Sequence, residues 1–94
     1  MNVVWSPLFT EQLQTILDAM ARTNPQGAKA FKLYLDTILL NLPTKAGKYK
    51  PSIYFDDEAV RDIEHQGFTI PFFRDRANGV YAILGIIDNR TAVS

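Results

Sequence analysis

Three lysines within six residues, Lys45, Lys48 and Lys50, surround Tyr49, a composition able to hold phosphates and stack one base. The same residues also describe an ordinary solvated loop, because lysine-rich surface loops are common. Arg61, Arg74, Arg76 and Arg90 extend the set of cations, since a curled strand meander can gather them on one side. Edge-strand charges that block aggregation explain the arginines equally well. Asp56, Asp57 and Glu58 form an acidic knot without the alternating ligands and glycine turn of a calcium loop, and they suit capping or loop ordering. Their adjacency does not bring together two carboxyls from separate elements, as a paired-carboxylate hydrolase requires.

His65 is the single histidine, and on a strand it points to the opposite face from Glu64, so no His–carboxylate dyad is implied. The chain has no cysteine, which removes disulfides and thiolate metal sites. Neither a metal nor a cofactor is expected, and no glycine-rich phosphate loop or nucleophile elbow is present.

The elements that must position these side chains fit one domain spanning residues 1–94. A chain of this length buries only about 60 to 65% of its unfolded surface, which leaves no room for a second core. Hydrophobic residues at 47% and charged residues at 21% place it among globular proteins. Ten basic and ten acidic side chains cancel, so no global field draws it to nucleic acid or anionic lipid, and any such attraction must be local. The opening Met-Asn-Val-Val-Trp-Ser-Pro has no charged n-region or apolar h-region, and no long apolar run exists, so a cytoplasmic protein without membrane contact is expected.

Asn2 to Trp5 is β-prone, and Ser6-Pro7 then supplies an N-cap with proline at the first helical position. Phe9, Leu13, Ile16, Leu17 and Met20 recur at helical spacing, which predicts a first helix over Pro7 to Arg22. Asn24-Pro25 repeats the opener, and Ala28, Phe31, Leu35, Ile38 and Leu42 predict a second helix that Pro43 stops. So short a connection forces an antiparallel hairpin, and Leu33, Leu39 and Leu40 widen the apolar face of the second helix toward a sheet.

Thr44 to Pro51 reads as a solvated loop that Ile53, Tyr54 and Phe55 could dock on the core. Val60 to His65 suits a strand or one to two helical turns, and Gly67 favours the strand. Phe68 to Arg74 alternates as a strand in which Pro71 marks an edge position or a bulge. Asp75 to Gly79 carries Asn-Gly turn chemistry, Val80 to Ile87 returns as a near-continuous apolar strand for the sheet centre, and Asp88 to Ser94 is a polar tail. The expected fold is α+β: an N-terminal strand, an antiparallel helix hairpin, then a three-stranded antiparallel meander in one curved sheet.

That order of elements resembles the RelE/ParE superfamily of type II toxin–antitoxin toxins nearly end to end. The resemblance rests on Val4-Trp5-Ser6-Pro7, Leu42-Pro43, Arg61-Asp62-Ile63 with Gly67-Phe68-Thr69-Ile70, and Val80 to Ile86. The Ser-Ile-Tyr-Phe-Asp-Asp segment at 52–57 is most similar to a ParE-like branch. Messenger-cleaving members carry cations where this chain has Asp62, Glu64 and Thr69, and only Arg90 matches. Acidic replacements argue against a ribonuclease, which needs cations around the scissile phosphate.

The resemblance therefore implies a growth-inhibiting toxin that binds DNA gyrase, without catalytic residues. A cognate antitoxin would neutralise it by wrapping a disordered arm around the helix hairpin and sheet. Lys45, Lys48, Lys50, Arg61, Arg74 and Arg90 are the expected target or nucleic-acid contacts. A homodimer or a toxin–antitoxin hetero-oligomer is the implied assembly. The alternatives are a ribosome-dependent ribonuclease acting on messenger RNA through Arg61, His65 and Arg90, and a non-toxic protein-binding module.

Overall fold

The computed structural model describes residues 2–92. In chain order it contains β1 (Asn2–Trp5), α1 (Pro7–Thr23), α2 (Pro25–Leu40), α3 (Leu42–Lys45), a 3-10 turn (Ala46–Lys48), β2 (Lys50–Pro51), β3 (Val60–His65), β4 (Phe68–Asp75), β5 (Val80–Ile83), β6 (Ile87–Asp88) and α4 (Asn89–Ala92).

Both long helices start as their caps dictate. The Ser6 hydroxyl accepts from the Phe9 N–H at 3.0 Å and the Asn24 carboxamide accepts from the Gly27 N–H at 2.9 Å, each with proline next in sequence. The expected apolar stripes face inward: Phe9 and Leu13 of α1 and Ala28, Phe31, Leu35 and Leu39 of α2 are buried. Complete burial of a side chain such as Leu35 or Leu39 is worth about 1.5–3 kcal/mol.

The second helix departs from expectation in two ways. It ends at Leu40, and Pro43 sits inside α3, where an early helical position needs no N–H donor. Leu33 and Leu40 are 66% and 76% exposed, so of the three widening leucines only Leu39 meets the core.

The sheet runs β1-β5-β4-β3-β2, with β6 also on β4. β3, β4 and β5 form the expected meander, and β1 joins it parallel to β5. Residues 66 and 67 make the β3–β4 turn, both with positive φ (48° and 86°), as a two-residue primed turn demands. The lysine segment is not simply a loop: α3, the 3-10 turn and β2 organise it, and Lys50 and Pro51 pair with Asp62 and Arg61. The polar tail is likewise structured at its start, as β6 and α4, while Val93 and Ser94 lie outside the described residues.

Pro71 produces the main revision. Val80 to Ile87 is not one strand: Phe72 pairs with Ile83 and Thr69 with Ile87, so two residues of β4 face three of the returning chain, Leu84, Gly85 and Ile86. That extra residue is a bulge, one of the two roles expected of Pro71, and it falls on the partner strand. The Leu84 N–H donates to the Pro71 carbonyl at 2.9 Å, but proline has no N–H to return the bond. Helix α1 supplies the missing partners. The Ser6 hydroxyl donates to the Leu84 carbonyl at 2.9 Å, and the Gln12 side-chain oxygen accepts from the Ile86 N–H at 3.0 Å. Gly85 leaves room for that contact, because a Cβ there would stand 2.8 Å from Gln12 Oε1.

Ser6→Ala removes both a cap and the hydroxyl donor to the half-buried Leu84 carbonyl, so it should cost about 1–3 kcal/mol in urea unfolding. In a Pro71→Ala background residue 71 regains an N–H aimed at Leu84, and the cost should shrink by about 0.5–1 kcal/mol, a coupling that a double-mutant cycle reads directly.

Candidate functional site

Side chains alternate between the two faces of the sheet, and the helices cover one of them. Arg61, Ile63 and His65 of β3, Phe68, Ile70, Phe72 and Arg74 of β4, and Tyr81 and Ile83 of β5 lie on the helix side. Asp62 and Glu64 face the other way with Thr69 and Pro71.

The open face carries acid and amide groups. Glu64 accepts from the Thr69 hydroxyl at 3.1 Å and from the Asn89 amide at 3.1 Å, and the Tyr54 hydroxyl reaches Asn89 at 3.4 Å. Asp62 is 8% exposed; one carboxylate oxygen accepts from the Ile53 N–H at 3.0 Å and the other has no partner among the described residues. Residues 52–59 thus form a strap drawn over this face by Asp62 below Ile53 and by Asn89 at the Tyr54 end. The expected apolar docking of that segment is overturned, since Ile53 is 80% exposed and Tyr54 and Phe55 are exposed too. Polar bonds to backbone and hydroxyl groups hold the strap, and its apolar side chains remain free.

The predicted cations separate into groups. Lys45 is exposed on α3, and Lys48 and Lys50 border a cleft of about 340 Å³ that Tyr49, Ile53, Asp62 and Glu64 also line. Lys48 also sits 5.6 Å from the centre of the Tyr49 ring, which packs edge-on against Phe72. The Arg61 guanidinium donates to the Tyr49 carbonyl, and Arg74 lies 5.9 Å from the centre of the Tyr81 ring. Burial pushes the Tyr49 hydroxyl above its ordinary pKa.

Arg90 is at the other end of the sheet, paired with Asp88 at 3.0 Å and 5.3 Å from the Phe68 ring centre. Its hydrogen bond holds the Asp88 carboxyl below the usual aspartate range. His65 packs against Phe31 at 5.3 Å, and burial lowers its pKa. Arg61 and His65 share a face but stand four residues apart on an extended strand, about 13 Å. The three groups of a ribonuclease reading are not brought together.

Two further surfaces could receive a macromolecule. A cleft of about 510 Å³ runs between α1 and α2, floored by Leu17, Ala21 and Ala28 and rimmed by Asp18, Lys29 and Lys32. Leu33 borders it, and Tyr34 and Leu40 continue as exposed apolar side chains on α2. Sequence reading missed Asn89 and Thr69, whose roles arise only when β6 returns beside β4; the signal available was Glu64 opposite Thr69 across the Gln66-Gly67 turn. No group of three or more His, Cys, Asp or Glu able to hold a metal occurs among the described residues.

With this geometry in view, comparison with known proteins is decisive for kinship. Residues 3–93 match the family model described as ParE toxin of type II toxin-antitoxin system, parDE. The chain belongs to the ParE toxin family. Among solved structures, a chain from the chromosomal ParDE TA system of P. aeruginosa resembles it with a TM-score of 0.70 and 22% identity, covering 94% of this chain and 95% of that one. That likeness concerns the fold. No curated protein matches the sequence.

Two outcomes test the site. Asp62→Ala should loosen the strap, seen as faster hydrogen exchange at the Ile53 amide with little change at Ile70. Because burial disfavours charged His65, its folded pKa lies below the ordinary 6.5, and the unfolded chain takes up the proton first. Its contribution to stability is complete above 6.5 and is lost as pH falls through the folded pKa. His65→Gln should flatten this part of the urea-midpoint profile between neutral and mildly acid pH.

Proposed function

We propose that this ParE-family chain slows growth by binding DNA gyrase and that a cognate antitoxin holds it inactive in the cytoplasm. The observation that carries the reading is the open sheet face. Messenger-cleaving relatives would need cations there to neutralise a scissile phosphate, and this chain presents Asp62 and Glu64. Carboxylates repel a phosphate and offer no charge to the developing transition state, so inhibition through a bound surface accounts better for the site than cleavage does.

An antitoxin arm fits the hairpin. The cleft between α1 and α2 has an apolar floor and a rim of both signs, the exposed Leu33 borders it, and Tyr34 and Leu40 are further exposed apolar side chains of α2. A disordered segment ordering here would bury apolar surface against the entropy of its own ordering.

Purified toxin should inhibit supercoiling by gyrase or raise gyrase-dependent DNA cleavage at micromolar concentration or below, with no new breaks in ribosome-bound message by toeprinting. Intact gyrase activity with codon-internal cleavage would instead establish the ribonuclease. Induction that leaves growth unchanged, with both assays silent, would leave the non-toxic protein-binding module as the correct description.

A further inference from the structure

Arg61 and Arg74 lie on the helix side of the sheet, and Lys48 stands at its edge, where it also borders the cleft that Asp62 and Glu64 line. Arg61 lies opposite Phe72 in the β3–β4 register, and Arg74 is two residues further along β4 on the same face. Diagonal neighbours of this kind sit about 7–8 Å apart, within reach of each other's long side chains. The two ion pairs among the described residues are Lys32–Asp36 and Asp88–Arg90, so neither Arg61 nor Arg74 has a carboxylate partner. The buried Nε of Arg74 has no acceptor among the described residues. Lys48 lies 5.6 Å from the centre of the Tyr49 ring, and the backbone carbonyl of Tyr49 accepts from Arg61. The nearest acids in sequence are turned elsewhere: Asp62 and Asp75 lie on the opposite face, and Asp75 is bonded to Asn78.

Half-buried stems packed on Phe72 and Tyr81 would explain two apolar side chains at these positions as well as two arginines. They do not explain two guanidiniums at diagonal positions of one face, neither with a carboxylate partner among the described residues. Two such cations on one face suit an anion, and the planar donor fork of arginine matches a phosphate. We propose that Lys48, Arg61 and Arg74, set around Tyr49 and Tyr81, bind the phosphodiester backbone of DNA. Contact is to phosphates and therefore independent of base sequence. It would fasten the protein to a nucleic acid presented by its target, and it does not require that the target be gyrase.

The test uses toxin alone, so its failure is separable from failure of the gyrase assay. Anisotropy of a short labelled duplex at low salt should show binding with a log–log salt slope of about −2 to −3, as expected for three phosphate contacts. Arg61→Gln/Arg74→Gln should weaken it at least about 10-fold, while Arg22→Gln, at an exposed cation on α1, stays within about twofold. Should the double arginine variant fail to fold by circular dichroism, Lys48→Gln, altered at an exposed side chain, must weaken binding about threefold. Absence of binding by the unaltered protein overturns the proposal, as does unchanged affinity in these variants. Inorganic phosphate binding as tightly as the duplex would make this a small-anion site and overturn the nucleic-acid assignment.

Discussion

Proline in a central strand leaves one carbonyl that its ladder partner cannot serve, and the packing of this fold follows from where that carbonyl finds a donor. Pro71 accepts from Leu84 but returns nothing, so the Leu84 carbonyl turns to the Ser6 hydroxyl at the start of α1. One turn and a half later on the same helix, Gln12 takes up the Ile86 N–H. The same hydroxyl that starts the helix therefore fixes it to the sheet, and α2 follows because the hairpin connection is too short for any other placement. An unsatisfied buried carbonyl costs about 1–3 kcal/mol, comparable with the loss of a helix cap, and a single serine prevents both.

The hairpin then decides what each face of the sheet can do. On the covered side, Phe31, Leu35 and Leu39 close over Ile63, Ile70 and Phe72, and the strand ends that project past them hold Arg74 against the Tyr81 ring and Arg61 on the Tyr49 carbonyl. On the uncovered side, alternation places Asp62 and Glu64, and the strap from 52 to 59 fastens to them through backbone and hydroxyl donors. A chain of zero net charge is thereby divided into an acidic face and a basic edge. Charge that averages out over the sequence is still available locally, where short-range contacts read it.

Local signals made much of this legible. Ser6-Pro7 and Asn24-Pro25 each state a helix start in two residues, and both caps form as the side-chain chemistry requires. The alternation in Phe68 to Arg74 and the glycine at 67 mark the meander because one face is buried and the turn needs positive φ. What stayed hidden depends on partners far along the chain. Val80 to Ile87 is apolar throughout, so its pattern carries no trace of the break at Leu84 to Ile86, which is set by Pro71 and by side chains 78 and 74 positions away. Strand β2 has two residues and no periodicity to read. Leu33 and Leu40 are apolar by type, yet they lie about 140–160° round α2 from Leu35 and so face away from the sheet.

The same logic explains why the strap is the part of the site least tied to the core. Its hold on the sheet consists of the Ile53 N–H on Asp62, the Tyr54 hydroxyl on Asn89 and, at its two ends, backbone bonds from the Ser52 N–H to the Val60 carbonyl and from the Arg74 N–H to the Ala59 carbonyl, while its apolar side chains contribute little burial. Each such bond is worth about 0.5–1.5 kcal/mol net, or somewhat more at a carboxylate, so lifting the middle of the strap, with its backbone-bonded ends in place, is cheaper than unfolding the sheet beneath it. Opening would expose the second Asp62 oxygen, which has no partner among the described residues when closed, and hydration of that oxygen offsets part of the loss. A face that can be uncovered at such modest cost, carrying Ile53, Tyr54 and Phe55 on the cover itself, gives a binding protein both a buried acid and an apolar flap without disturbing the Ser6 and Gln12 contacts that keep the fold together.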